Sequence, residues 1–292
     1  MVILFSLGAA LFFGLSDFTT RMGLRTSNAR SAVLFSTLSG LIIPVAATIF
    51  TVSGDILNLP GVLYFILSGI IGAFIARYLL YIGMEKVGVS IAVSLANMRP
   101  LFGSLTAVLI LGEILTLTIT GSTLLIIAGV VAISWDKSGG YFEKAWSRKD
   151  LIFPIMAGFS YGLAYVVRKL GVTNIPHPVV GVVIQNITAL ACFMLASPLQ
   201  RGQQRVDWRN GRAWLIFGLA GLLAFFANFF TFSALNLGEV VIVAPLVSLN
   251  PLFTLVLAAI FLRNLERVTW NIVLGALFII SGVVILSLAS HS

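Results

Sequence analysis

Residues 89–111 read VSIAVSLANMRPLFGSLTAVLIL, an apolar stretch interrupted by the single charge of Arg99. At 1.5 Å per residue the stretch is long enough to cross a bilayer, and Arg99 would lie about 15 Å from its start, near the midplane. A cation at that depth costs roughly 2.5 kcal/mol or more, and such residues usually face a protein-lined cavity. The stretch therefore predicts a membrane helix that carries a polar site.

The composition assigns the whole chain to the membrane class. Of its 292 residues, 59% are hydrophobic and only 10% are charged, whereas soluble domains carry about 25% charged residues. The apolar runs are continuous, which favours transmembrane helices over the alternating segments of a β-barrel. The net charge of +8 comes mainly from short loops, so we expect no nucleic-acid partner. No metal-ligand spacing and no phosphate-binding loop occurs, so we expect no cofactor.

The apolar runs and the polar segments between them predict an all-α integral membrane protein with ten transmembrane helices. The first run has no basic leader and no cleavage motif, so we interpret it as a mature helix and not as a signal peptide. We expect a multi-pass protein in the inner (plasma) membrane of a prokaryote. The predicted helices are 2–20, 31–51, 61–83, 89–111, 117–134, 151–170, 178–198, 212–235, 240–262 and 269–288.

The two halves of the chain resemble each other. Gly14 corresponds to Gly162 at an offset of 148, and Arg99-Pro100 corresponds to Asn250-Pro251 at an offset of 151. Because each half has five predicted spans, an odd number, the halves should have opposite orientations in the membrane. An inverted repeat with a site at the midplane is a common transporter plan. The predicted units are a first repeat at 1–135, a linker at 136–150 and a second repeat at 151–292.

A family resemblance rests on a pattern that follows the fourth helix and recurs after the ninth. Its residues are Gly112-Glu113, Thr116, Gly121 and Ala128-Gly129-Val130, repeated as Glu266, Thr269, Gly275 and Ser281-Gly282-Val283. This pattern resembles the EamA-type repeat of the drug/metabolite transporter superfamily. The resemblance implies a ten-helix basket with a central cavity lined mainly by helices one, three, four, six, eight and nine. We expect the two glutamates of the pattern to cap the following helices.

The charge distribution and the family resemblance predict opposite orientations of the chain in the membrane. Most Lys and Arg residues lie on one predicted side of the membrane, whereas Arg168 and Lys169, at the end of the predicted helix 151–170, lie on the other side. The positive-inside rule then places both termini outside the cytoplasm. The family resemblance implies cytoplasmic termini and a basic loop between the second and third spans, but the loop at 52–61 has no Arg or Lys.

Arg99 is the strongest candidate for binding a substrate. A guanidinium holds a carboxylate or a phosphate by paired hydrogen bonds. Pro100 removes one backbone hydrogen bond and predicts a break in the helix, which membranes tolerate where the backbone lines a cavity. The alternative is a structural role for Arg99, in an ion pair or on helix-end carbonyls.

Other polar residues within the predicted spans extend the candidate site. Arg77 and Asp17 could form an ion pair or a gate on the same side of the membrane. Tyr161 and Tyr165 share a helix face and could stack on a substrate, although ordinary packing explains them equally well. Any of the amides could instead tie helices together. The remaining predicted substrate-binding residues are Asn97, Tyr78, Asn228 and Asn250, and the remaining predicted breaks are Pro245 and Pro251.

These features predict a secondary transporter that exports a small organic metabolite by alternating access. Arg99 favours an amino acid or another carboxylate-bearing solute and disfavours lipophilic cations. The alternatives are an exchanger of phosphorylated or nucleotide-linked sugars, or a lipid flippase. No convergent catalytic set occurs within the spans, so we do not expect an enzyme. The expected partners are the small-molecule substrate and the lipid bilayer, with the chain acting as a monomer or a homodimer.

Overall fold

The computed structural model contains helices and no strand in the residues that it describes, which are 1–24, 26–51, 58–87, 89–136, 147–196, 206–261 and 270–289. In these ranges, six helical segments are long and apolar enough to cross a membrane, and four further apolar helices are shorter. Most of the predicted linker at 136–150 lies outside the described residues. The all-helical, multi-pass membrane architecture agrees with the sequence.

The helix bounds lie close to the predicted ones, with three spans divided into shorter pieces. The divided spans are the third, the fourth and the ninth. The elements of the described residues are α1 (Val2–Leu24), α2 (Ala29–Thr51), α3 (Leu59–Ser68), a π-helical segment (Gly69–Ile75), α4 (Ala76–Val87), α5 (Val89–Ala96), α6 (Arg99–Leu111), α7 (Leu117–Asp136), a 3₁₀ turn (Arg148–Leu151), α8 (Ile152–Asn174), α9 (Pro178–Ala196), α10 (Gly211–Leu237), α11 (Val240–Val247), α12 (Asn250–Phe261) and α13 (Trp270–Ala289).

The fourth and ninth spans are interrupted at equivalent places. A turn closed by the Met98 N–H on the Leu95 carbonyl, at 3.1 Å, separates α5 from α6. The equivalent turn between α11 and α12 is closed by Leu249 on Leu246, at 3.3 Å. In each case a proline is the second residue of the new helix, where its missing N–H removes no helical bond. Pro100 and Pro251 therefore begin helices, whereas Pro245 lies inside α11.

Glycines bring the first helix of each half onto the interrupted span of the other half. A Cβ added at Gly162 in α8 would lie 2.8 Å from the Arg99 carbonyl oxygen and 2.6 Å from the Gly103 nitrogen. A Cβ added at Gly14 in α1 would lie 3.0 Å from the Asn250 carbonyl oxygen. Because Gly14 and Gly162 correspond in the sequence repeat, these two contacts are reciprocal. Both interrupted spans are thus fixed by backbone contact at the residues that begin α6 and α12.

Helices α7 and α13 pack on each other in the same reciprocal way. A Cβ added at Gly129 would lie 2.5 Å from the Gly275 carbonyl oxygen, and one added at Gly282 would lie 2.8 Å from the Ser122 carbonyl oxygen. All four residues are related by an offset of 153 in the sequence. The two helices that end the sequence repeats therefore form a close, symmetric pair.

Glu113 caps a helix, but in the other half of the chain. Its two carboxylate oxygens accept hydrogen bonds from the N–H groups of Val240 and Val241, each at 2.9 Å. These N–H groups begin α11 and have no acceptor within their helix. The prediction that Glu113 caps the following helix was wrong, because Thr116 occupies that position through its hydroxyl and the Ile119 N–H. Glu266 lies outside the described residues.

The close contact at Gly162 predicts a position-specific effect of alanine. Gly162→Ala forces a methyl group into the backbone of α6, and we expect a loss of about 1–3 kcal/mol in the free energy of unfolding. Gly218→Ala is the matched control, because an added Cβ there meets no atom within 4 Å. Alanine at position 218 should be neutral or stabilise the helix by up to about 1 kcal/mol. Thermal unfolding of both variants in detergent measures the difference, and equal melting temperatures would contradict this packing.

The Glu113 cap predicts a pH dependence of stability. Burial raises the pKa of the Glu113 carboxyl by more than the two backbone N–H groups lower it. The folded state therefore holds this proton more tightly than the unfolded state, and the stability due to the proton is lost as the pH rises through the raised pKa. We therefore expect the melting temperature of the wild type to rise relative to that of Glu113→Gln as the pH is lowered from about 7 to about 5. A difference between the two proteins that stays constant with pH would refute the shift.

Candidate functional site

Arg99 lies at the start of α6 and joins three residues of other helices into one network. Its Nε donates a hydrogen bond to the Ser248 hydroxyl at 3.1 Å, and its Nη2 donates to the Oδ1 of Asn250. The Nδ2 of Asn250 in turn donates to the Oδ2 of Asp17 at 2.7 Å. We call these four residues, Asp17, Arg99, Ser248 and Asn250, the Arg99 cluster.

The two helix breaks position this cluster. Asn250 is the first residue of α12, and Ser248 lies in the turn that precedes it. The Ser248 hydroxyl donates its own proton to the Ala244 carbonyl at 2.8 Å, so its oxygen is left to accept from Arg99. Arg99 and Asn250 are equivalent in the sequence repeat, and their side chains bond directly to each other. The interrupted spans therefore meet at the polar residues that begin their second halves.

The cluster holds a positive and a negative group without joining them directly. The Asn250 amide lies between them, accepting from the Arg99 guanidinium and donating to the Asp17 carboxylate. Asp17 is exposed, whereas Arg99 and Asn250 are half-buried. The sequence analysis considered an ion pair between Asp17 and Arg77. Arg77 makes no ion pair within the described part of the chain, so this pair does not form.

Arg99 retains donors for a ligand. A guanidinium has five N–H groups, and two of them are used by Ser248 and Asn250. The other three have no hydrogen-bond acceptor among the described residues. The guanidinium also lies over the ring of Tyr161, with 5.9 Å between its Cζ and the ring centroid. Neutral groups thus orient Arg99 and leave its positive charge uncompensated by a direct carboxylate.

A second arginine lies deeper in the protein than the sequence indicated. Arg168 was expected near the end of the predicted helix 151–170, but α8 continues to Asn174 and Arg168 is only 9% exposed within it. Its Nε donates to the Oε1 of Gln185 at 2.8 Å, and the Ser68 hydroxyl reaches the same oxygen at 3.3 Å. The Nε2 of Gln185 donates to the Oδ1 of Asn228 at 3.4 Å. We call these residues, Ser68, Arg168, Gln185 and Asn228, the Arg168 cluster.

One face of α8 connects the two clusters. Tyr161, Tyr165 and Arg168 follow one another at spacings of four and three, which places them on a single helix face. Tyr161 lies under Arg99, and the guanidinium of Arg168 lies 5.7 Å from the ring centroid of Tyr165. The shared face of Tyr161 and Tyr165 was predicted, and the same spacing extended by three residues would have found Arg168.

Lys169, the neighbour of Arg168, has a structural role. Its Nζ donates to the carbonyl oxygens of Leu235 and Gly238, at 2.7 and 2.8 Å. These carbonyls belong to the C-terminal end of α10, where a cation compensates unpaired acceptors and the helix dipole. Lys169 therefore fixes the end of α10 and does not point to a ligand.

The other predicted site residues lie in α4 and in the turn that precedes α6. Tyr78 is 42% exposed and stacks on Phe74, with 6.3 Å between ring centroids. Arg77 is half-buried in α4, and Asn97 is buried in the turn between α5 and α6. The structure thus brings Asp17, Arg99, Asn250 and Tyr161 together at one cluster, and Tyr165 and Asn228 at the other.

The fold and its polar centre define a multi-pass membrane protein with charged groups held between its helices. Two parts of the chain, residues 1–135 and 149–288, match the EamA-like transporter family. The chain belongs to this family. The family to which the chain belongs is one of transporters and not of enzymes.

Two individual comparisons agree with this assignment. The chain is 30% identical over 149 residues to an uncharacterized transporter of Archaeoglobus fulgidus, and the match covers 50% of this chain and 49% of that protein. The chain thus spans about half the length of this curated relative. A crystal structure of a protein with 17% sequence identity superposes with a TM-score of 0.83 over 99% of this chain and 96% of the other. At that identity the superposition shows the fold alone.

The direct bond between Arg99 and Asn250 predicts that their contributions to stability are coupled. We expect the Arg99→Gln and Asn250→Ala changes to be non-additive, with a coupling free energy of about 0.5–3 kcal/mol. The matched control pairs Arg99→Gln with Asn228→Ala, since Asn228 belongs to the other cluster, and that pair should add to within about 0.5 kcal/mol. Unfolding free energies of the single and double variants measure both cycles. Additivity in the first cycle would contradict the bond.

Proposed function

We propose that this protein is a secondary transporter that moves an amino acid or another carboxylate-bearing metabolite out of the cell by alternating access. The observation that carries the proposal is the Arg99 guanidinium, which neutral partners orient at a helix break while three of its donors have no acceptor in the described part of the chain. A fork of N–H groups suits the two oxygens of a carboxylate.

The neighbours of Arg99 favour an amino acid in particular. An amino acid carries a carboxylate and an ammonium group on one carbon atom. The Arg99 cluster presents a guanidinium and, one amide away, the exposed carboxylate of Asp17. A zwitterion that binds Arg99 through its carboxylate would therefore find an opposite charge for its ammonium group close by. Both attractions are stronger in a half-buried site than in water, because the effective dielectric constant is lower.

The arrangement of the two halves supports alternating access. We propose that ten membrane helices form two inverted five-helix repeats, with the Arg99 cluster between them. The reciprocal contacts of Gly14 and Gly162 support a two-fold relation between the halves. Transporters of this plan bind substrate at broken helices near the midplane and expose it to either side by rocking one repeat against the other. Export from a prokaryotic cell across its inner membrane rests on the resemblance to exporters of the superfamily.

The test is transport of radiolabelled amino acids into proteoliposomes that contain the purified protein. We expect Arg99→Gln to reduce binding and uptake of the transported amino acid at least tenfold, because a hydrogen bond to a charged group contributes about 1.5–3 kcal/mol. Arg148→Gln is the matched control, with the same substitution at an exposed position outside the cluster. It should transport at the wild-type rate.

Three results of this test have different meanings. Uptake that falls in Arg99→Gln and not in Arg148→Gln, with both variants folded, supports the proposal. Equal uptake by the wild type and Arg99→Gln would make Arg99 structural. Transport of organic cations in place of carboxylate-bearing solutes would overturn the proposed substrate class.

A further inference from the structure

The charge of Arg168 is buried among neutral groups. Its guanidinium contacts the Gln185 oxygen and the faces of two rings, at 5.7 Å from Tyr165 and 5.5 Å from Phe232. No carboxylate lies within ion-pair distance of it in the described part of the chain. A buried cation with neutral partners costs free energy that an anion would recover. A purely structural arginine would be expected to have a carboxylate or several carbonyl partners.

Most donors of Arg168 are available. Only its Nε has a hydrogen-bond acceptor among the described residues, so four of its five N–H groups have none. The fully enclosed side-chain atoms without a partner in those residues are the hydroxyl oxygens of Ser27, Ser104 and Thr123. Arg168 is not among these residues and keeps 9% of its surface exposed. Arg168 can therefore donate hydrogen bonds to a ligand while it keeps its bond to Gln185.

The π-helical segment of the third span packs closely against the Arg168 side chain. Gly72, in the π-helical segment, packs against α8, and a Cβ added there would lie 3.5 Å from the Nη2 of Arg168 and 2.6 Å from the Cβ of Ala164. A π-helical turn widens the helix locally and is frequent at functional sites. The neighbouring Gly69 brings the same segment against the Gln185 carbonyl oxygen, at 2.8 Å from an added Cβ. The irregular part of the third span thus lies against the Arg168 cluster.

The two arginines contact aromatic rings whose residues are about one helical turn apart. Tyr161 and Tyr165 are four residues apart, which is about 6 Å along the axis of α8. Arg99 lies within 5.9 Å of the first ring and Arg168 within 5.7 Å of the second. Two cations therefore follow each other along one aromatic face. A single small molecule with two acidic groups on a short carbon chain has a length comparable to this rise of one helical turn.

We infer that Arg168, oriented by Gln185, is a second anion-binding subsite, and that the preferred substrate carries two acidic groups, as an acidic amino acid does. This inference rests on the proposed function, since it takes Arg99 as the site of the first carboxylate. The rings of Tyr161 and Tyr165 lie between the two groups and contact the carbon chain. A substrate with one carboxylate uses Arg99 and leaves Arg168 uncompensated.

The inference is tested by comparing two ligands that differ by one charge, L-glutamate and L-glutamine. We expect the wild type in detergent to bind glutamate at least tenfold more tightly than glutamine, as measured by calorimetry and thermal stabilisation. Gln185→Glu keeps the shape of the side chain and gives Arg168 a carboxylate partner within the protein. That partner competes with the ligand, so the ratio of the two affinities should fall to about one.

A second variant and a control keep the result interpretable. Arg168→Gln removes the cation and should abolish the same preference if the protein folds. Gln185→Glu guards against misfolding, because it pairs a buried charge and should melt at or above the wild-type temperature. Arg99→Gln is run in parallel and should weaken both ligands.

The outcomes separate this inference from the proposed function. If the wild type does not prefer glutamate, or if the preference survives in both Gln185→Glu and Arg168→Gln, the second subsite is wrong even where Arg99→Gln weakens both ligands. If the preference depends on Arg168 while Arg99→Gln binds like the wild type, the subsite stands and the role proposed for Arg99 fails. If the wild type binds neither ligand, the second subsite is overturned, and the uptake assay with other amino acids decides the proposed function.

Discussion

The structure depends on the requirement that backbone polar groups in an apolar surrounding find partners. An interrupted membrane helix exposes carbonyl and N–H groups where no water can satisfy them, so a break is stable only against other protein groups. Here the breaks of the fourth and ninth spans lie together, and the side chains that begin α6 and α12, Arg99 and Asn250, bond to each other. Each break closes its turn through its own backbone hydrogen bonds, and the side chains that follow the two turns pair with each other. The residues that join the two breaks are also the ones that can hold a charged solute.

Glycine makes this arrangement possible, and α8 organises it. Gly158 and Gly162 bring α8 against the backbone of α5 and α6, where Cβ atoms at these positions would lie 3.2 Å from the Ala96 carbonyl oxygen and 2.8 Å from that of Arg99. Another face of the same helix carries Tyr161, Tyr165 and Arg168. Helix α8 therefore packs on the break between α5 and α6, contacts Arg99 through Tyr161 and carries Arg168 itself. Its equivalent, α1, packs through Gly14 on the other break and contributes Asp17 to the same cluster.

The sequence predicted the parts of this site that depend on local chemistry. A charge or an amide followed by proline inside an apolar run is visible without a structure, so Arg99 and Asn250 were found. Arg168 was missed because it lies near the end of the predicted helix 151–170, where a cation is expected to face water, whereas α8 continues for six residues beyond Arg168. Helix-to-helix partners could not be predicted, because they depend on packing between distant segments. Asp17 therefore bonds Asn250 and not Arg77, and Glu113 caps α11 and not α7.

The acidic groups that the structure describes do not pair directly with either arginine. In the described residues, Glu113 caps a helix and Asp150 pairs with Lys86 at 3.1 Å, both at the ends of helices. Asp17 reaches Arg99 only through an amide, and Arg168 has no carboxylate partner there. Under the proposed function, the substrate is the missing counter-ion: its binding removes the cost of two uncompensated cations. A carrier whose interior charges are balanced only when it is loaded should cross between its two open states more easily with substrate than without it. That property favours exchange of one anionic solute for another over the return of an empty carrier.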